Sequence, residues 1–415
     1  MKIIYLVHQF YPEYQSGTEK FIFNNALMSQ KAGNKVKVVT YSFLDDSKFQ
    51  EFTKEILSRE YIYQGIPVEA IKCINPPNFI DFTQSNPQLN QFARNFLKKE
   101  DPDLIHVGHP MRMYEFINAA IDLKIPYVMT LTDFFMLCPK VILTPNDHSL
   151  CEGPNGGFAC YELCSELDGS FIKNRLNKSE IILRKAKALI APSNFVATMV
   201  KKEFDDLNFN VIQHGIQHQY IKKNNRIYNQ SDDLIFGFAG TILRHKGVHL
   251  LIKTFKEIKN QNIKLKIYGS GPKYFLDELH TMIHKDARIS ICGEYSSDQL
   301  GDILKGIDVV IIPSMCYENY SMVLHEAFAS NIPVIVTNLG GLAEKVEDGF
   351  NGFTFSFGDS KDLKQKLLKI IENPMILNDL KRYIQKSIIV QKIEQESYEY
   401  FRIYDKFNDL QANNY

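Results

Sequence analysis

Val309-Val310-Ile311-Ile312-Pro313-Ser314-Met315-Cys316-Tyr317-Glu318-Asn319-Tyr320-Ser321-Met322-Val323-Leu324-His325-Glu326-Ala327 is the stretch whose reading decides the fold. Its first four residues are an unbroken apolar run and read as a buried strand. From Ser321 to Ser330 the chain reads as a helix, with Met322, Leu324, Ala327 and Phe328 available for packing. A second apolar strand, Val334–Thr337, follows. Strand, helix and strand in that order argue for a parallel sheet. Glu318 then lies on the loop at the first strand's C-terminal end, and Glu326 is carried by the helix. That edge of an open α/β sheet is where ligands bind. Two carboxylates there accept hydrogen bonds from sugar hydroxyls, and charged acceptors make the stronger bonds. The N–H groups of the helix's first turn hold a phosphate.

Outward from this stretch the same alternation runs through the chain. Strands are expected at Lys2–His8, Lys35–Tyr41, Val68–Ile71, Leu104–Val107, Tyr127–Thr132 and Ala188–Ala191, then at Leu234–Ala239, Leu265–Tyr268, Ile289–Cys292, Val309–Ile312 and Val334–Thr337. Amphipathic helices separate them, among them Glu19–Lys31, Leu89–Lys99, Val248–Lys259 and Lys273–His284. The polar segment Lys201–Asp233 contains the expected linker, and a long charged helical region, broken near Pro374, ends the chain. A chain of 415 residues exceeds one ordinary core and suggests two domains of about 200 residues. The expected division is 1–205, 206–385 and a final helix over 386–415.

Lys+Arg and Asp+Glu both number 48, so no global field favours nucleic acid. No apolar run approaches the roughly 20 residues of a membrane span. The N-terminus, Met1 to His8, reads as a strand and not as a signal peptide, which points to the cytoplasm. Seven cysteines do not make a secreted disulfide framework in a chain of this size.

Glu318 and Glu326 have seven residues between them, Pro313-Ser314 before and Glu326-Ala327 after, followed by Pro333-Val334-Ile335-Val336-Thr337-Asn338-Leu339-Gly340-Gly341-Leu342-Ala343-Glu344. Together these resemble the E-x7-E motif and the P-V-I-x-T-x-x-G-G-x-x-E run of retaining glycosyltransferases of family 4. The resemblance implies the GT-B fold: α/β, two Rossmann-like domains facing a central cleft, with the last helix crossing back to the N-terminal domain. The first domain would be the acceptor domain and the second would hold a nucleotide diphosphate sugar, UDP- or GDP-linked.

Gly240-Thr241-Ile242-Leu243-Arg244-His245-Lys246-Gly247 resembles the family's G-R-x4-K-G loop, which places Lys246 on the diphosphate. A cation there offsets charge developing on the leaving group. Thr241 stands where the family has Arg, and Arg244 is the candidate to supply that charge; a solvated basic turn is the alternative for Arg244 and His245. Gly269-Ser270-Gly271-Pro272 resembles the family's G-x-G-P turn, and Gly293-Glu294-Tyr295 its loop beside the base. By resemblance Glu318 contacts the donor sugar, Glu326 the ribose, and Asn319, Tyr320, Ser321 and Met322 present backbone N–H groups to the phosphates. Gly340-Gly341 reads as a tight turn that lets Glu344 cap the next helix. No acidic D-x-D element follows a strand, as an Mg²⁺-bound diphosphate would want. No metal is therefore expected in catalysis.

On the acceptor side, Pro12-Glu13-Tyr14-Gln15-Ser16-Gly17-Thr18-Glu19 resembles the family's P-x-x-G-G-x-E loop; Ser16 replaces the first glycine and Gly17 keeps the second. The same residues also make an ordinary helix start. Leu131-Thr132-Asp133-Phe134-Phe135-Met136-Leu137-Cys138-Pro139 resembles the L-H-D-x-W-x-x-C-P segment, with Thr132 in place of His. Thr is no general base near neutral pH. Asp133 is left as the catalytic candidate, orienting an acceptor hydroxyl, or else caps a turn. His109 follows a strand and is a candidate at the acceptor, or a structural histidine.

Cys138, Cys151, Cys160 and Cys164 are enough thiolates for one structural Zn²⁺; buried free thiols are the alternative. Phe171–Lys187 carries Lys173, Arg175, Lys178, Arg184, Lys185 and Lys187 against Glu180, with Ile172, Leu176, Ile181, Ile182 and Leu183 interleaved. Such a helix either docks on anionic lipid at the inner face of the membrane or is a solvated helix with one core-facing stripe. The expected function is sugar transfer to a glycan or lipid-linked glycan in surface polysaccharide biosynthesis. A non-catalytic nucleotide-sugar-binding module and a GT-B nucleotide-sugar 2-epimerase are the alternatives.

Overall fold

The computed structural model describes residues 1–51, 55–75 and 85–412. The last three residues of the expected 386–415 helix lie outside them. The chain forms two compact units, one of Met1–His214 with Ile393–Tyr415 and one of Gly215–Lys392.

The first unit is built on a nine-stranded sheet of β1 (Lys2–Val7), β2 (Lys35–Tyr41), β3 (Gln50–Glu51), β4 (Ile56–Tyr63), β5 (Ile66–Cys73), β6 (Leu104–Val107), β7 (Tyr127–Thr130), β8 (Ala188–Ala191) and β9 (Phe209–Val211). Its spatial order is β3-β4-β5-β2-β1-β6-β7-β8-β9. The pairs β3–β4 and β4–β5 are antiparallel. The rest of the sheet is parallel. The second unit holds β10 (Leu234–Ala239), β11 (Ile263–Tyr268), β12 (Ile289–Gly293), β13 (Val309–Ile312), β14 (Val334–Thr337) and β15 (Gly352–Phe355), all parallel, in the order β12-β11-β10-β13-β14-β15. Renumbered within the unit this is 3-2-1-4-5-6, the doubly wound dinucleotide-fold order.

Both sheets therefore reverse direction of winding once, between β1 and β6 and between β10 and β13. Ligands bind outside the carboxyl ends of the strands at such switch points. The strands that define them are buried on both faces: Ile3 to Val7 and Val309 to Ile311 are fully buried, as are Val334 to Val336. Each such side chain contributes about 1.5–3 kcal/mol of burial, which rigidifies the strand ends that carry the loops.

The helix Ile393–Ala412 packs on the first sheet, where Tyr400, Ile403 and Tyr404 join its core. His106 on β6 meets the Tyr404 hydroxyl at 2.6 Å and Thr130 Oγ1 at 2.8 Å. The chain changes unit at His214/Gly215 and Lys392/Ile393, somewhat later than the expected 205/206 and 385/386. At the first boundary β9 extends the first sheet to Val211. At the second the Ile216 N–H bonds to the Gln391 carbonyl, which holds the end of the second unit to its beginning. The polar stretch after Ile221 is a strap on the second unit and not a free tether. Asp308 accepts from Arg226 at 3.0 Å, from the Tyr228 hydroxyl at 2.8 Å and from the Ile235 N–H at 2.8 Å. The buried Lys381 ammonium donates to Asn224 Oδ1 and the Arg226 carbonyl.

Candidate functional site

In the second unit the loops after β10 and β13 are stapled together at the switch point. The turn Arg244–Lys246 ends on Gly247, whose φ of +73° suits glycine; a Cβ there would lie 1.8 Å from the Pro313 carbonyl oxygen. The Met315 N–H bonds to the His245 carbonyl at 2.7 Å. This brings Lys246 Nζ to 2.7 Å from Glu318 Oε1, which also accepts from Ser314 Oγ at 2.5 Å. The Glu318 side chain is 12% exposed and that of Lys246 29%.

The electrostatics of the pair are mutual. Burial opposes both charges, yet the facing ammonium, its hydrogen bond and Ser314 hold the Glu318 carboxyl below its usual range. The Glu318 carboxylate likewise outweighs burial and holds Lys246 above its usual range. His245 beside them is pushed down to about 4, first by burial and then by Lys246, so its ring is neutral near pH 7.

The main chain of Glu318 is fixed from a third direction. Its carbonyl accepts the Gly341 N–H at 2.7 Å, and a Cβ on Gly341 would approach the Asn319 and Glu318 carbonyl oxygens to 2.7 and 2.8 Å. Gly341 lies in the short helix Gly340–Ala343, with Glu344 at that helix's C-terminal end, and not in the tight turn before a Glu344-capped helix that the sequence suggests. Ser321 caps the helix Met322–Ala329 by accepting the Leu324 N–H. Asn319, Tyr320 and Ser321 before the helix and Met322 at its first position are half-buried. Glu326 is buried on that helix. Burial and then the nearby Glu326 carboxylate raise the Tyr295 hydroxyl on the loop after β12. Glu294 next to it is exposed.

Gly269 and Gly271 have a structural reason of their own. A Cβ on either would lie within 2.0 Å of a backbone oxygen, of Gly240 for Gly269 and of Ile242 for Gly271. They let the loops after β10 and β11 touch, with the Ile242 N–H on the Ser270 carbonyl at 2.7 Å. Arg244 is turned onto the helix Lys273–Ile283, where it bonds to Glu278 and lies 5.0 Å over the Phe275 ring. It does not join Lys246 in this arrangement, and Thr241 is exposed.

In the first unit the corresponding switch point gathers the ends of β1, β6 and β7. The helix Gly17–Lys31 starts there with Ser16 as N-cap, and the Ser16 N–H bonds to Glu19 Oε2 at 2.5 Å. Glu19 is fully buried, so it serves the helix start. Gly17 is exposed, and a Cβ on it would meet nothing within 4 Å. Thr132 Oγ1 accepts from Thr18 Oγ1 at 3.2 Å and donates to the Gly108 carbonyl at 3.3 Å, tying β7 to the helix start. His109 is 1% exposed and so does not present itself to an acceptor as expected. Its Nε2 meets Asp133 Oδ2 at 2.6 Å, and Asp133 Oδ1 accepts the Phe135 N–H at 2.9 Å. Asp133 keeps a quarter of its side chain exposed. The His8 ring, which the sequence reading passed over, lies 4.0 Å from the His109 ring.

Cys138, Cys151, Cys160 and Cys164 line one small apolar cavity with Leu137, Leu143 and Leu167. All four are buried free thiols. Burial raises Cys138, Cys151 and Cys160, the last to about 12. Among the described residues no three His, Cys, Asp or Glu side chains are arranged to hold a metal ion. On the helix Gly169–Lys185, Ile172, Leu176, Ile182 and Leu183 face the core and Ile181 is exposed. Arg175 is fully buried, donating to the Phe135 carbonyl. Lys173, Arg184, Lys185 and Lys187 remain as an exposed basic face. No helix among the described residues is long and apolar enough to cross a membrane.

An α/β chain of two doubly wound units, each with polar groups at its switch point, is of the GT-B class. Residues 15–220 match the model for Glycosyltransferase Family 4 and residues 221–387 that for Glycosyl transferases group 1. The chain belongs to this glycosyltransferase family. Among curated proteins it is 28% identical over 227 residues to an uncharacterized glycosyltransferase of Methanocaldococcus jannaschii, covering 49% of this chain and 62% of that one. It is 30% identical over 168 residues to the capsular polysaccharide biosynthesis glycosyltransferase CapM of Staphylococcus aureus, 38% of this chain and 44% of that one. These alignments span about half the length of the relatives. Among solved structures, Anabaena HepE in complex with UDP and glucose superposes with a TM-score of 0.69 at 18% identity, over 98% of this chain and 99% of that one. That similarity concerns the fold.

Proposed function

We propose that the protein is a retaining glycosyltransferase that moves a sugar from a nucleotide diphosphate sugar to a glycan or lipid-linked glycan acceptor in surface polysaccharide biosynthesis. The observation that carries the reading is the Lys246–Glu318 pair with Ser314 at the β10–β13 switch point. Its ammonium suits the diphosphate, and its ionised carboxylate suits the hydroxyls of the attached sugar. Glu326 takes the ribose hydroxyls, with Tyr295 and Glu294 beside the base and the 319–322 backbone on the phosphates. Gly17 and Gly240 leave room for the diphosphate.

In the reaction the bond from the anomeric carbon to the diphosphate oxygen breaks, and the leaving oxygen keeps the electron pair. The acceptor oxygen bonds to that carbon on the same face, and its proton passes to the leaving phosphate. Lys246 stabilises the charge that develops there, so the transfer runs without a metal. Asp133 orients the acceptor hydroxyl.

HepE has been solved with UDP and with UDP-glucose, and TarM of Staphylococcus aureus with UDP and fondaparinux. The lipopolysaccharide 1,2-N-acetylglucosaminetransferase of Salmonella typhimurium is another relative, 27% identical over 190 residues, 42% of this chain and 50% of that one. These similar proteins support UDP as the first donor to try, with GDP as the alternative, and a polysaccharide role. Contact with an anionic inner membrane face would run through the exposed Lys173, Arg184, Lys185 and Lys187. A structural Zn²⁺ at Cys138, Cys151, Cys160 and Cys164, which line one cavity, would take no part in the transfer step.

Thermal-shift measurement against UDP, GDP, ADP and their sugar conjugates, with and without Mg²⁺, tests the reading. A ligand that binds the native state raises the melting temperature with its concentration over Kd. The expected result is a metal-independent shift by one nucleotide sugar that Glu326→Ala abolishes. No shift with any of them removes the donor site. Binding without any turnover favours a non-catalytic module, which Thr132 and Thr241 would suit.

A further inference from the structure

The first unit places a second, differently built polar cluster at the ends of β1, β6 and β7. At its centre, His109 is held on both nitrogens. Nδ1 accepts the Met111 N–H at 3.2 Å, which leaves the ring proton on Nε2, and Nε2 donates to Asp133 Oδ2 at 2.6 Å. The ring has no rotational freedom left: it lies between the His8 ring at 4.0 Å and the Phe135 ring at 5.3 Å. Phe135 is itself fixed, because the buried Arg175 guanidinium bonds to its carbonyl and lies 4.3 Å over its ring. The Phe135 N–H holds the other Asp133 oxygen. The outcome is a carboxylate whose orientation is set by two donors and whose side chain is still 25% exposed. The neighbouring Thr132 hydroxyl is already engaged with Thr18 and Gly108.

We propose that His109 is a positioning residue for the transfer step, whose Nε2–H aims the Asp133 carboxylate so that its exposed lone pairs accept a hydrogen bond from the attacking hydroxyl. The inference rests on the glycosyl-transfer reading above and adds to it the means by which Asp133 is oriented. Asp133 keeps no proton at the end. The hydroxyl oxygen bonds to the anomeric carbon, the carbon–phosphate oxygen bond breaks, and the proton ends on the departing diphosphate. His109 touches neither substrate and acts through Asp133. Water is the smallest molecule that can take the acceptor's place, so slow donor hydrolysis reports on the same carboxylate.

The test uses the full chain and four variants: His109→Ala, His109→Gln, Asp133→Asn and the double variant His109→Ala/Asp133→Asn. Calorimetry gives the Kd for UDP-glucose, UDP-N-acetylglucosamine and GDP-mannose. Diphosphate release from each donor is followed in water and with a panel of octyl hexopyranosides. His109→Ala is expected to slow release about 10–100-fold while donor Kd stays within about twofold. His109→Gln, which keeps an N–H donor on the side chain, restores most of the rate. The double variant is no slower than Asp133→Asn alone, as expected of residues acting as a unit. Additive losses, no rescue by Gln, or a donor Kd that weakens in step with the rate overturn the proposal and leave the transferase reading intact. A wild-type chain that releases no diphosphate from any donor overturns both.

Discussion

The two switch points carry opposite kinds of polar group. At β10–β13 an ammonium and a carboxylate neutralise each other over 2.7 Å, with the loop main chain held by Gly341 and Met315. At β1–β6–β7 an imidazole and a carboxylate meet, and the other ring nitrogen is already taken by backbone. The first arrangement is the one proposed to take the donor. Both members are charged, each holds the other's ionisation, and both have partners to exchange for phosphate oxygens and sugar hydroxyls. The second holds one group still so that it can act on something mobile. The difference teaches that one chain can carry an ion pair at one sheet's switch point and a backbone-anchored imidazole–carboxylate pair at the other's.

The contrast breaks most sharply at Lys246 and Glu318. Lys246→Ala is expected to lower turnover about 10²–10³-fold and to weaken donor binding, as losing a preorganised charge does. Steady-state kinetics with the donor found by thermal shift check it. Glu318→Ala is expected to fall as far while free nucleotide diphosphate still binds, because the proposal gives its carboxylate the sugar and not the phosphate. Equal weakening of sugar conjugate and free diphosphate would erase that division.

Gly341→Ala comes next. The added Cβ pushes on the Glu318 and Asn319 carbonyl oxygens, which have little room in a packed loop. About tenfold weaker donor binding and about 1–3 kcal/mol lower stability are expected, measured by calorimetry and urea unfolding. The same change at Gly17, which has open space around it, leaves stability within about 0.5 kcal/mol.

A smaller effect is one of pH. His245 titrates near 4 in the fold against an ordinary value of 6.5. Its neutral form is the one the fold favours, so this contribution is complete above about pH 6.5 and is lost as pH falls toward 4. Glu318, also lowered, adds a loss at still lower pH. Lys246, raised, keeps its contribution until pH rises beyond the usual lysine range. Stability is therefore expected to fall between pH 6.5 and 4, by at most about 3 kcal/mol for His245, read as a lower melting temperature. His245→Gln should flatten that part of the curve. The smallest effect is at Thr241: Thr241→Arg restores the family's charge at an exposed position and should tighten donor binding a few-fold.

Much of this was legible in the sequence because the residues that decide it are local. The runs Val309–Ile312 and Val334–Thr337 are buried on both faces, so they show as unbroken apolar stretches, and their strands fall where expected. β4 was missed because β3 covers its outer side only at Leu57 and Ser58, which leaves Glu60 and Ile62 exposed and breaks the pattern with Arg and Glu. β9 and β15 are short edge strands of three and four residues. Lys246 and Glu318 were found through their motifs, and their pairing follows from β10 lying beside β13.

What failed to show was long-range. Arg244 looked free to serve the diphosphate, but Glu278 and Phe275 on a helix some 30 positions away claim it. His109 looked like an acceptor contact, and only the adjacency of β6 and β7 reveals that it points at Asp133. The basic helix reads from sequence either as lipid-facing or as a solvated helix with one core-facing stripe, and only the fold shows that Ile172, Leu176, Ile182 and Leu183 are buried. Ser314 was quoted as part of a motif without a role, since nothing local says that its hydroxyl turns back to Glu318.

The most direct measurement is calorimetric titration in EDTA of UDP, GDP and their sugar conjugates into the wild type, Lys246→Ala and Glu318→Ala. The account predicts that one nucleotide sugar binds the wild type without metal. Lys246→Ala should weaken the free diphosphate and its conjugate alike, and Glu318→Ala only the extra affinity that the sugar brings. Binding that needs Mg²⁺, or that survives Lys246→Ala unchanged, would contradict it.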